Sequence, residues 1–308
     1  MRVLVACSAN SGNISPFILE QASELEKLGI EISFYPIKGK GIKGYLSNLR
    51  KLKQQIHDFN PDLIHAHSGM TALLCGLQRK KKVVSTFHGS DINNSKLKRF
   101  TRLAILLTHK HIVVSSEMKE KLGMDDIEVI PCGVNDQIFK PNDQIVAQKK
   151  LGWDPSKNYV LFSSAFGNYV KNYPLAAAAI KGLNNSNIQL IELSGRSRIE
   201  VAQMLNACDV ALMTSLSEGS PQFIKEALAT GTPIVSTKVG DVATLINGIE
   251  GCFLSNFDST SIGNKIISAI EFKKNNQFTK GPARIEALKI KGSQVAEKIL
   301  LVYARLPL

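Results

Sequence analysis

The sequence lacks any long apolar run. No stretch approaches the roughly 20 consecutive apolar residues that a membrane-spanning helix requires. The amino end leads directly into a β-strand pattern, without the profile of a signal peptide. We therefore expect a cytoplasmic protein. Peripheral attachment to the inner face of the membrane stays open, because it depends on surface charge rather than on apolar length.

Cysteine is sparse and scattered. The five cysteines are an odd number and include no Cys-x-x-Cys pair, which argues against a disulfide framework and against a zinc site. Buried free thiols are the expected state, and no metal site is predicted. The five are Cys7, Cys75, Cys132, Cys208 and Cys252.

Aromatic residues make up only 6% of the chain, although the formal net charge is +12. The basic clusters lack interleaved aromatic side chains, so nucleic acid is not predicted as a partner. Such clusters attract anionic lipid head groups or polyphosphates, and a solvated helix face explains any single cluster equally well. The clusters lie within residues 38–53, 79–82 and 96–102.

Length and patterning predict two domains. A chain of 308 residues is long for one core, so two domains of about 150 residues each are expected. Each half alternates short β-rich runs with helical patterns, which predicts an α/β fold with parallel sheets. A linker between Pro131 and Pro155 separates the halves. We place the domains at 1–155 and 156–292, and we expect a terminal helix over 293–308 to brace the first.

The β-rich runs predict individual strands. Those of the first half are Arg2–Cys7, Ile30–Tyr35, Asp62–Ala66, Val83–Phe87, Ile112–Ser115 and Ile127–Ile130. Those of the second half are Tyr159–Phe162, Ile188–Leu193, Val210–Met213, Pro233–Ser236 and Cys252–Leu254. Ser15 as N-cap, Pro16 as first helical residue and Gly29 as terminator predict a helix after the first strand. A single helix fits between the second and third strands of the second half, so that domain is expected to be compact.

The loop after the Val210–Met213 strand carries the sharpest candidate site. Glu218 lies on this loop, and Glu226 lies in the helix expected to begin near Pro221. Ligands of open α/β sheets bind beyond the carboxyl ends of the strands, where helix N-termini offer unpaired N–H groups to phosphate. The two carboxylates can accept hydrogen bonds from sugar and ribose hydroxyls. The alternative is a helix in which the acidic residues only stabilise the positively charged N-terminal end and bind no ligand.

Six ordered motifs give the chain a family resemblance. The chain resembles the retaining glycosyltransferases of family 4, which have the GT-B fold of two Rossmann-like domains facing across a cleft. The resemblance covers nearly the whole chain. The motifs are PDLIHAH at 61–67, STFHGSD at 85–91, VIPCGVN at 129–135 with FKP at 139–141, KN at 171–172, the stretch from Glu218 to Glu226, and EALATGTPIVS at 226–236 with VGD at 239–241.

The resemblance implies a role for each matched residue. Glu218 would contact the donor sugar, Glu226 would bind the ribose, and Lys171 would neutralise the leaving diphosphate. His88 would contact the donor sugar near the reacting carbon. The other donor-binding residues that the resemblance implies are Gly12, Ser220, Pro221, Gln222 and Phe223.

The chain departs from the family pattern in two places. Family members usually carry an arginine a few residues before Lys171, and residues 164–170 hold none. Arg196 or Arg198, in the loop after the second strand of that domain, would supply the missing charge, with a plain surface position as the alternative for both. We include Arg196 among the donor-binding residues. Only Gly12 stands where the family commonly has two glycines.

Three further polar residues are expected to be structural. Asp91 is expected to cap the following segment or to orient the loop that carries His88, rather than to perform chemistry. His65 and His67 alternate with Ala66 along their strand, and structural roles are favoured there over metal binding.

The predicted function is transfer of a sugar from a UDP- or GDP-linked donor to a glycan or lipid-linked acceptor, with retention of anomeric configuration, in the synthesis of a cell-surface polysaccharide. In such enzymes the leaving phosphate deprotonates the acceptor, so we expect no paired catalytic carboxylates of the glycosidase kind. We also expect no obligatory metal and no other cofactor. Two alternatives stay open. One is a nucleotide-sugar epimerase of the GT-B fold, and the other is a non-catalytic sugar-nucleotide binding protein.

Overall fold

The computed structural model describes residues 1–306. The chain forms two compact units, and the first is built from two separate stretches of sequence. Met1–Gly133 and the segment that begins at Gly292 form the first unit, and Val134–Lys291 forms the second. Each unit contains one β-sheet.

Parallel strands form the sheet of the first unit. They are Arg2–Ser8 (β1), Glu31–Ile37 (β2), Leu63–His67 (β3), Lys82–Phe87 (β4), Lys110–Val113 (β5) and Glu128–Val129 (β6). Their order is β2-β1-β3-β4-β5-β6, so the strand order reverses between β1 and β3. The core residues of β1, β3 and β4 are buried on both faces, as near-continuous apolar runs in a parallel sheet require.

Helices flank this sheet. They are Pro16–Lys27 (α1), Gly41–Leu46 (α2), Leu49–Phe59 (α3), Gly69–Gly76 (α4), Ser90–Asn93 (α5), Ser95–Leu107 (α6) and Ser116–Leu122 (α7). Helix α1 begins at Pro16 with Ser15 at the N-cap position, as predicted. The chain leaves it at Gly29, whose φ of +82° favours glycine.

The second unit has a five-stranded parallel sheet. Its strands are Asn158–Phe162 (β7), Ile188–Glu192 (β8), Val210–Met213 (β9), Ile234–Thr237 (β10) and Cys252–Ser255 (β11). Their order is β11-β10-β9-β7-β8. Each strand coincides with a predicted one to within one residue at either end.

The helices of the second unit alternate with its strands. They are Gln144–Leu151 (α8), Tyr173–Gly182 (α9), Arg198–Ala207 (α10), Gln222–Thr230 (α11), Val242–Leu245 (α12), Ser259–Asn276 (α13) and Gly281–Ala287 (α14), with a 3-10 turn at Tyr169–Lys171. A single helix, α10, joins β8 to β9, as predicted. Helices α9 and α13 pack together and cover apolar side chains of the sheet such as Phe162 and Leu212. Full burial of each such side chain stabilises the fold by roughly 1.5–3 kcal/mol before entropy is counted.

The last helix, Gly292–Ala304 (α15), belongs to the first unit and packs against α1. Its buried stripe includes Ile299 and Tyr303. The predicted helix over 293–308 extends to residues 307 and 308, which lie outside the described residues.

The chain leaves the first unit at Gly133 rather than at residue 155. The physical reason is that α8, which lies between those two points, packs against α10 of the second unit. Asn206 on α10 strengthens this attachment, because its amide donates to the carbonyl oxygen of Lys140 and accepts from the N–H of Asn142. Among residues 1–306, no helix has both the length and the apolar character needed to span a bilayer.

Candidate functional site

The loop between β9 and α11 carries Glu218, and the helix that follows carries Glu226. Helix α11 begins at Gln222. Gly240 packs directly against the loop, because a Cβ atom at that position would lie 2.5 Å from the carbonyl oxygen of Gly219. The φ of Gly240 is +53°, which also favours glycine. A larger residue at Gly240 would therefore displace the loop that presents Glu218.

Lys171 and Glu218 form an ion pair. Nζ of Lys171 lies 2.5 Å from Oε1 of Glu218, and the two side chains are 20% and 16% exposed. The backbone joins the same two loops. The hydroxyl of Thr214 donates to the carbonyl oxygen of Lys171 over 2.9 Å, and the N–H of Leu216 donates to the carbonyl oxygen of Val170 over 2.8 Å. The loops follow the neighbouring strands β7 and β9, so the pair lies at the carboxyl edge of the sheet.

Arg198, the first residue of α10, binds Glu226. Its Nη2 lies 2.6 Å from Oε1 of Glu226, whose side chain is only 4% exposed. The guanidinium carbon lies 4.5 Å from the centre of the Phe139 ring, a cation–π contact. A carboxylate this deeply buried needs a positive partner, because removal of one partner of a buried pair costs about 3–5 kcal/mol. Arg198 therefore fixes the position of Glu226.

Arg196 lies outside this arrangement. Its side chain is 49% exposed, and its Nη1 lies 3.4 Å from Oε1 of Glu200. Ser197 and Glu200 form a capping box at the start of α10. The box starts the helix at Arg198, which contacts Glu226, and leaves Arg196 in the preceding loop. The structure thus places Arg198, rather than Arg196, against Glu226.

The N-terminus of α11 lies between the two glutamates in sequence. The first turn of a helix leaves backbone N–H groups unpaired and carries a partial positive charge. The hydroxyl oxygen of Ser220 is buried and has no hydrogen-bond partner within residues 1–306. Pro221 occupies the N-cap position, and Gln222 and Phe223 begin the helix. The sequence predicts that all of these residues bind the donor. The N–H groups of the first turn and the hydroxyl of Ser220 can donate hydrogen bonds to an anion.

His88 belongs to the first unit and directly follows β4. Its N–H donates to Oδ2 of Asp91, and Oδ1 of Asp91 accepts from the N–H of Gly69, both over 2.9 Å. Asp91 therefore orients the His88 loop, as expected. The His88 ring lies 5.0 Å from the Phe17 ring, and its Nε2 lies 3.0 Å from Nδ1 of His67.

Gly12 also belongs to the first unit, in the turn that follows β1. Its φ of +104° favours glycine, and its N–H donates to the carbonyl oxygen of Ala9 over 3.1 Å. Asn10 anchors this turn, because its side chain bonds both the N–H and the carbonyl oxygen of Gly39. Gly12 is thus exposed on a fixed turn at the carboxyl end of β1.

Within the second unit, the structure brings Lys171 into contact with Glu218 and places Glu226 beside Arg198. His88 and Gly12 lie in the first unit. Among the described residues, no group of three or more His, Cys, Asp or Glu side chains is arranged to hold a metal ion. The roles that the resemblance implies for the individual residues remain predictions.

Two family patterns match the chain. The sequence model of the family described as Glycosyltransferase Family 4 matches residues 2–138, and the model described as Glycosyl transferases group 1 matches residues 157–271. Together they cover most of the chain. The chain belongs to glycosyltransferase family 4. The predicted family and the predicted enzyme class are therefore confirmed.

Two curated relatives are similar to this chain. A teichuronic acid biosynthesis glycosyltransferase, TuaC of Bacillus subtilis, is 29% identical over 64% of this chain and 58% of its own length. The UDP-Gal:alpha-D-GlcNAc-diphosphoundecaprenol alpha-1,3-galactosyltransferase of Escherichia coli is 28% identical over 78% of this chain and 73% of its own length. The match thus spans less than two thirds of TuaC.

Solved structures show the same fold as this family 4 chain. HepE from Anabaena in complex with UDP-glucose aligns with a TM-score of 0.77 at 16% identity, over 99% of this chain and 100% of that one. The two parallel sheets and this likeness confirm the predicted GT-B class of two Rossmann-like domains.

Proposed function

We propose that this family 4 glycosyltransferase moves a sugar from a UDP- or GDP-linked donor to a glycan or lipid-linked acceptor, with retention of anomeric configuration, in the synthesis of a cell-surface polysaccharide. The observation that carries the proposal is the arrangement at the carboxyl edge of the second sheet. There Lys171 pairs with Glu218, Arg198 pairs with Glu226, and the N-terminus of α11 follows Glu218 in sequence.

Each part of this arrangement suits one part of a nucleotide diphosphate sugar. The N–H groups at the start of α11 and the buried hydroxyl of Ser220 can donate to the diphosphate. Glu226, held by Arg198, can accept from the ribose hydroxyls. Glu218 can accept from a hydroxyl of the sugar, while Lys171 supplies a positive charge beside the leaving group. The solved complex of HepE contains UDP-glucose, and the Escherichia coli relative is named for UDP-Gal.

The proposed reaction exchanges one bond at the anomeric carbon for another on the same face. The bond from that carbon to the diphosphate oxygen breaks, and its electron pair leaves with the diphosphate. The acceptor hydroxyl oxygen forms the new bond, and its proton passes to the departing phosphate oxygen. Negative charge develops on the diphosphate, so Lys171 and the α11 amides stabilise the transition state more than the ground state.

A cavity in the first unit supports an acceptor with an apolar part. Its volume is about 390 Å³, within the range of small-molecule sites. Ser8, Ser68 and Ser90 lie in its wall, which places it beyond the carboxyl ends of β1, β3 and β4. The apolar lining residues are Ile42, Tyr45, Met70, Leu97 and Phe100. Both the Escherichia coli relative and a Campylobacter jejuni relative are named for diphosphoundecaprenol acceptors.

The exposed face of α6 supports peripheral contact with an anionic membrane. Arg99, Arg102, Leu103 and Leu106 are spaced at i, i+3, i+4 and i+7, so they share one face of the helix. Leu103 is 50% exposed and Leu106 is 79% exposed. A helix face that joins arginine to exposed leucine fits the interface between head groups and acyl chains. We place the protein in the cytoplasm, at the inner face of the membrane.

A donor screen followed by a transfer assay tests the proposal. Thermal shift of the purified chain with UDP, GDP and ADP sugars identifies the donor, and one strong stabilisation by a UDP or GDP sugar is expected. That donor is then incubated with diphosphate-linked glycolipid acceptors that carry short, water-soluble prenyl chains. Proton NMR of the product gives the anomeric configuration, which we expect to match that of the donor.

Three outcomes would contradict parts of the proposal. A product of inverted configuration would rule out retention of anomeric configuration. Conversion of the donor to an epimer without any acceptor would make the protein an epimerase. Binding without turnover over a broad acceptor panel would make it a non-catalytic binding protein. The Lys171→Ala variant serves as the matched control, because it should lose turnover while keeping the fold.

A further inference from the structure

Three histidine rings lie in a row in the first unit: His65, His67 and His88. The ring centres of His65 and His67 are 4.4 Å apart, and those of His67 and His88 are 5.2 Å apart with the rings within 11° of parallel. His65 and His67 stand two residues apart on β3, so both point to the same face of the sheet. The register of the sheet pairs His67 with Thr86 on β4, two residues before His88.

The first ring of the row is fixed by two hydrogen bonds. Nδ1 of His65 lies 2.6 Å from the hydroxyl of Tyr303, and its Nε2 lies 2.7 Å from the hydroxyl of Thr86. Burial lowers the pKa of His65 to about 3 and lowers the pKa of His67 well below its usual value, and neighbouring imidazoles act in the same direction. Both rings are therefore neutral near pH 7, and each carries a single N–H.

His67 has one ring nitrogen with a partner and one without. Its Nδ1 lies 3.0 Å from Nε2 of His88, while its Nε2 is buried and has no hydrogen-bond partner in the described part of the chain. A proton on Nε2 would leave a buried N–H unpaired, whereas a proton on Nδ1 leaves only a lone pair unpaired. In proteins, buried N–H groups without a partner are rarer than buried acceptor lone pairs without a partner. The second arrangement, with the proton on Nδ1, is therefore favoured.

We propose that His67 donates its Nδ1–H to Nε2 of His88 and thereby holds His88 as the neutral tautomer with its proton on Nδ1. His67 is a positioning residue in this assignment, because it acts through His88. A neutral His88 of the other tautomer, or a protonated His88, would donate from Nε2 and would force the orphaned N–H onto His67. Nδ1 of His88 lies 3.5 Å from the sulfur of Cys132, on the opposite side of the ring.

The backbone holds the two rings at this distance. The Asp91 carboxylate accepts one N–H from the loop after β3, at Gly69, and one from His88 itself. Gly69 has no room for a side chain, because a Cβ atom there would lie 2.3 Å from the hydroxyl of Thr101. The contact between the imidazoles is therefore built into the sheet and its loops rather than into mobile side chains.

The assignment has a chemical consequence that rests on the proposed function. With its Nε2 lone pair occupied by His67, His88 cannot accept a proton there. Its other ring nitrogen, Nδ1, carries the proton and lies beside the sulfur of Cys132. His88 would thus not serve as a general base, which agrees with a reaction in which the phosphate takes the acceptor proton.

Nitrogen-15 NMR of the imidazoles tests the assignment without any activity measurement. The full chain, labelled at its six histidines, should show His88 with the proton on Nδ1. In His67→Asn the amide nitrogen stands close to the former Nδ1 and can still donate, so the His88 tautomer should be kept. In His67→Leu the donor is gone, and His88 should shift towards the Nε2–H tautomer.

A buried histidine elsewhere in the same sheet supplies the matched control. His111 bonds Ser85 through Nδ1, and His111→Leu should leave the tautomer of His88 unchanged. Circular dichroism of each variant establishes that it is folded. The proposal is overturned if His88 carries its proton on Nε2 in the unaltered chain, or if its tautomer is the same in His67→Leu.

Transfer kinetics provide a second readout once a donor is known. His67→Leu should lower kcat by roughly tenfold or more, whereas His67→Asn should restore it to within about threefold of the unaltered protein. Equal losses in the two variants would contradict a positioning role. Because the NMR result needs no turnover, failure of the transfer assay and failure of this inference are separate outcomes.

Discussion

Arg198 and Glu226 meet across 2.6 Å, and the arginine lies over the ring of Phe139. The pair joins the first residue of α10 to the interior of α11, two helices that are neighbours in the second unit. The sequence predicts Arg196 or Arg198 as the source of the positive charge that family members usually carry just before Lys171, and of these two the structure pairs Arg198 with Glu226. The acid that is predicted to bind the ribose is therefore held by a residue far from it in sequence.

Replacement of Arg198 by alanine should weaken donor binding. We expect the Kd for the donor to rise by roughly tenfold to a hundredfold, since each tenfold corresponds to about 1.4 kcal/mol. The free energy of unfolding should fall by about 3–5 kcal/mol, because a buried carboxylate loses a charged partner. Isothermal titration and urea unfolding measure the two quantities.

Arg196→Ala is the matched control for this change. Its partner Glu200 is on the surface, so its removal should change the free energy of unfolding by less than about 0.5 kcal/mol and leave the donor Kd unchanged. If Arg196→Ala weakened donor binding as much as Arg198→Ala, the structural assignment of the cation would be wrong.

Changes at the Lys171–Glu218 pair should abolish transfer with little effect on folding. Lys171→Ala removes the charge beside the leaving diphosphate, and Glu218→Gln removes an acceptor for a sugar hydroxyl. Each should lower kcat/KM by about a hundredfold or more, the size of effect seen when one stabilising donor is lost from an active site. Release of nucleotide diphosphate and the melting temperature are the measurements, and turnover at the unaltered rate in either variant would refute the assignment.

Acidification should destabilise the first unit more than the second. All six histidines lie in the first unit, and burial lowers the pKa of His65 to about 3 and that of His111 to about 4. These groups bind protons in the unfolded chain, whose histidine pKa is near 6.5, before they do so in the folded unit. Their contribution to stability is complete above that pH and is lost progressively below it. Linkage gives a loss of about 2 kcal/mol for His65 between pH 7 and pH 5.

Hydrogen exchange followed by mass spectrometry can resolve the two units. Peptides from β3 and β4 should exchange faster at pH 5 than at pH 7 once the intrinsic rate is corrected, while peptides from β9 and β10 should change less. Burial raises the pKa of Asp91, and a raised carboxyl pKa acts in the opposite direction to the lowered histidine pKa values. The fluorescence of Trp153, in the second unit, is an internal control. Equal acceleration in both units would contradict the prediction.

Removal of the Tyr303 hydroxyl should loosen the first unit. Tyr303→Phe keeps the buried ring but leaves Nδ1 of His65 without its hydrogen-bond partner. We expect the free energy of unfolding to fall by about 1–3 kcal/mol, the cost of an unsatisfied buried polar group. Urea unfolding of the variant tests this value, with Tyr169→Phe as control because Tyr169 is 83% exposed.

Charge reversal on α6 should reduce binding to anionic vesicles. Arg99→Glu together with Arg102→Glu should lower the fraction of protein that sediments with phosphatidylglycerol vesicles, since each basic residue near such a surface contributes about 1 kcal/mol. Lys80→Glu with Lys81→Glu alters net charge equally on a different segment and should have a smaller effect. Equal losses in both double variants would indicate a general charge effect instead of a docking face.

Much of the fold could be predicted because patterns within short stretches of sequence determine it. The strands of the second unit are continuous apolar runs, and Ser15 with Pro16 marks the start of α1. The end of the first unit could not be found in this way, because Pro155 is a stronger local signal than Gly133. What decides that boundary is the packing of α8 on α10, a long-range contact.

The candidate site also has parts that local sequence predicts and parts that depend on long-range contacts. Glu218 and Glu226 are recognisable through the motifs that carry the family resemblance, whereas the partner of Glu226 depends on where α10 begins. The Ser197-Arg-Ile-Glu200 capping box was a readable signal that favours Arg198 over Arg196 as the first helical residue. The pairing of His67 with His88 had no such signal, because it requires the register of β3 against β4.

The first unit is completed by α15, which follows the whole second unit in sequence. On the ribosome, Val134–Lys291 emerges as one uninterrupted piece and can complete its core first. The sheet of the first unit is made earlier, but the hydrogen bond between His65 and Tyr303 can form only after the second unit has been synthesised. Nascent chains stalled before residue 292 should therefore lack this contact and leave exposed the side of the first unit that α15 covers.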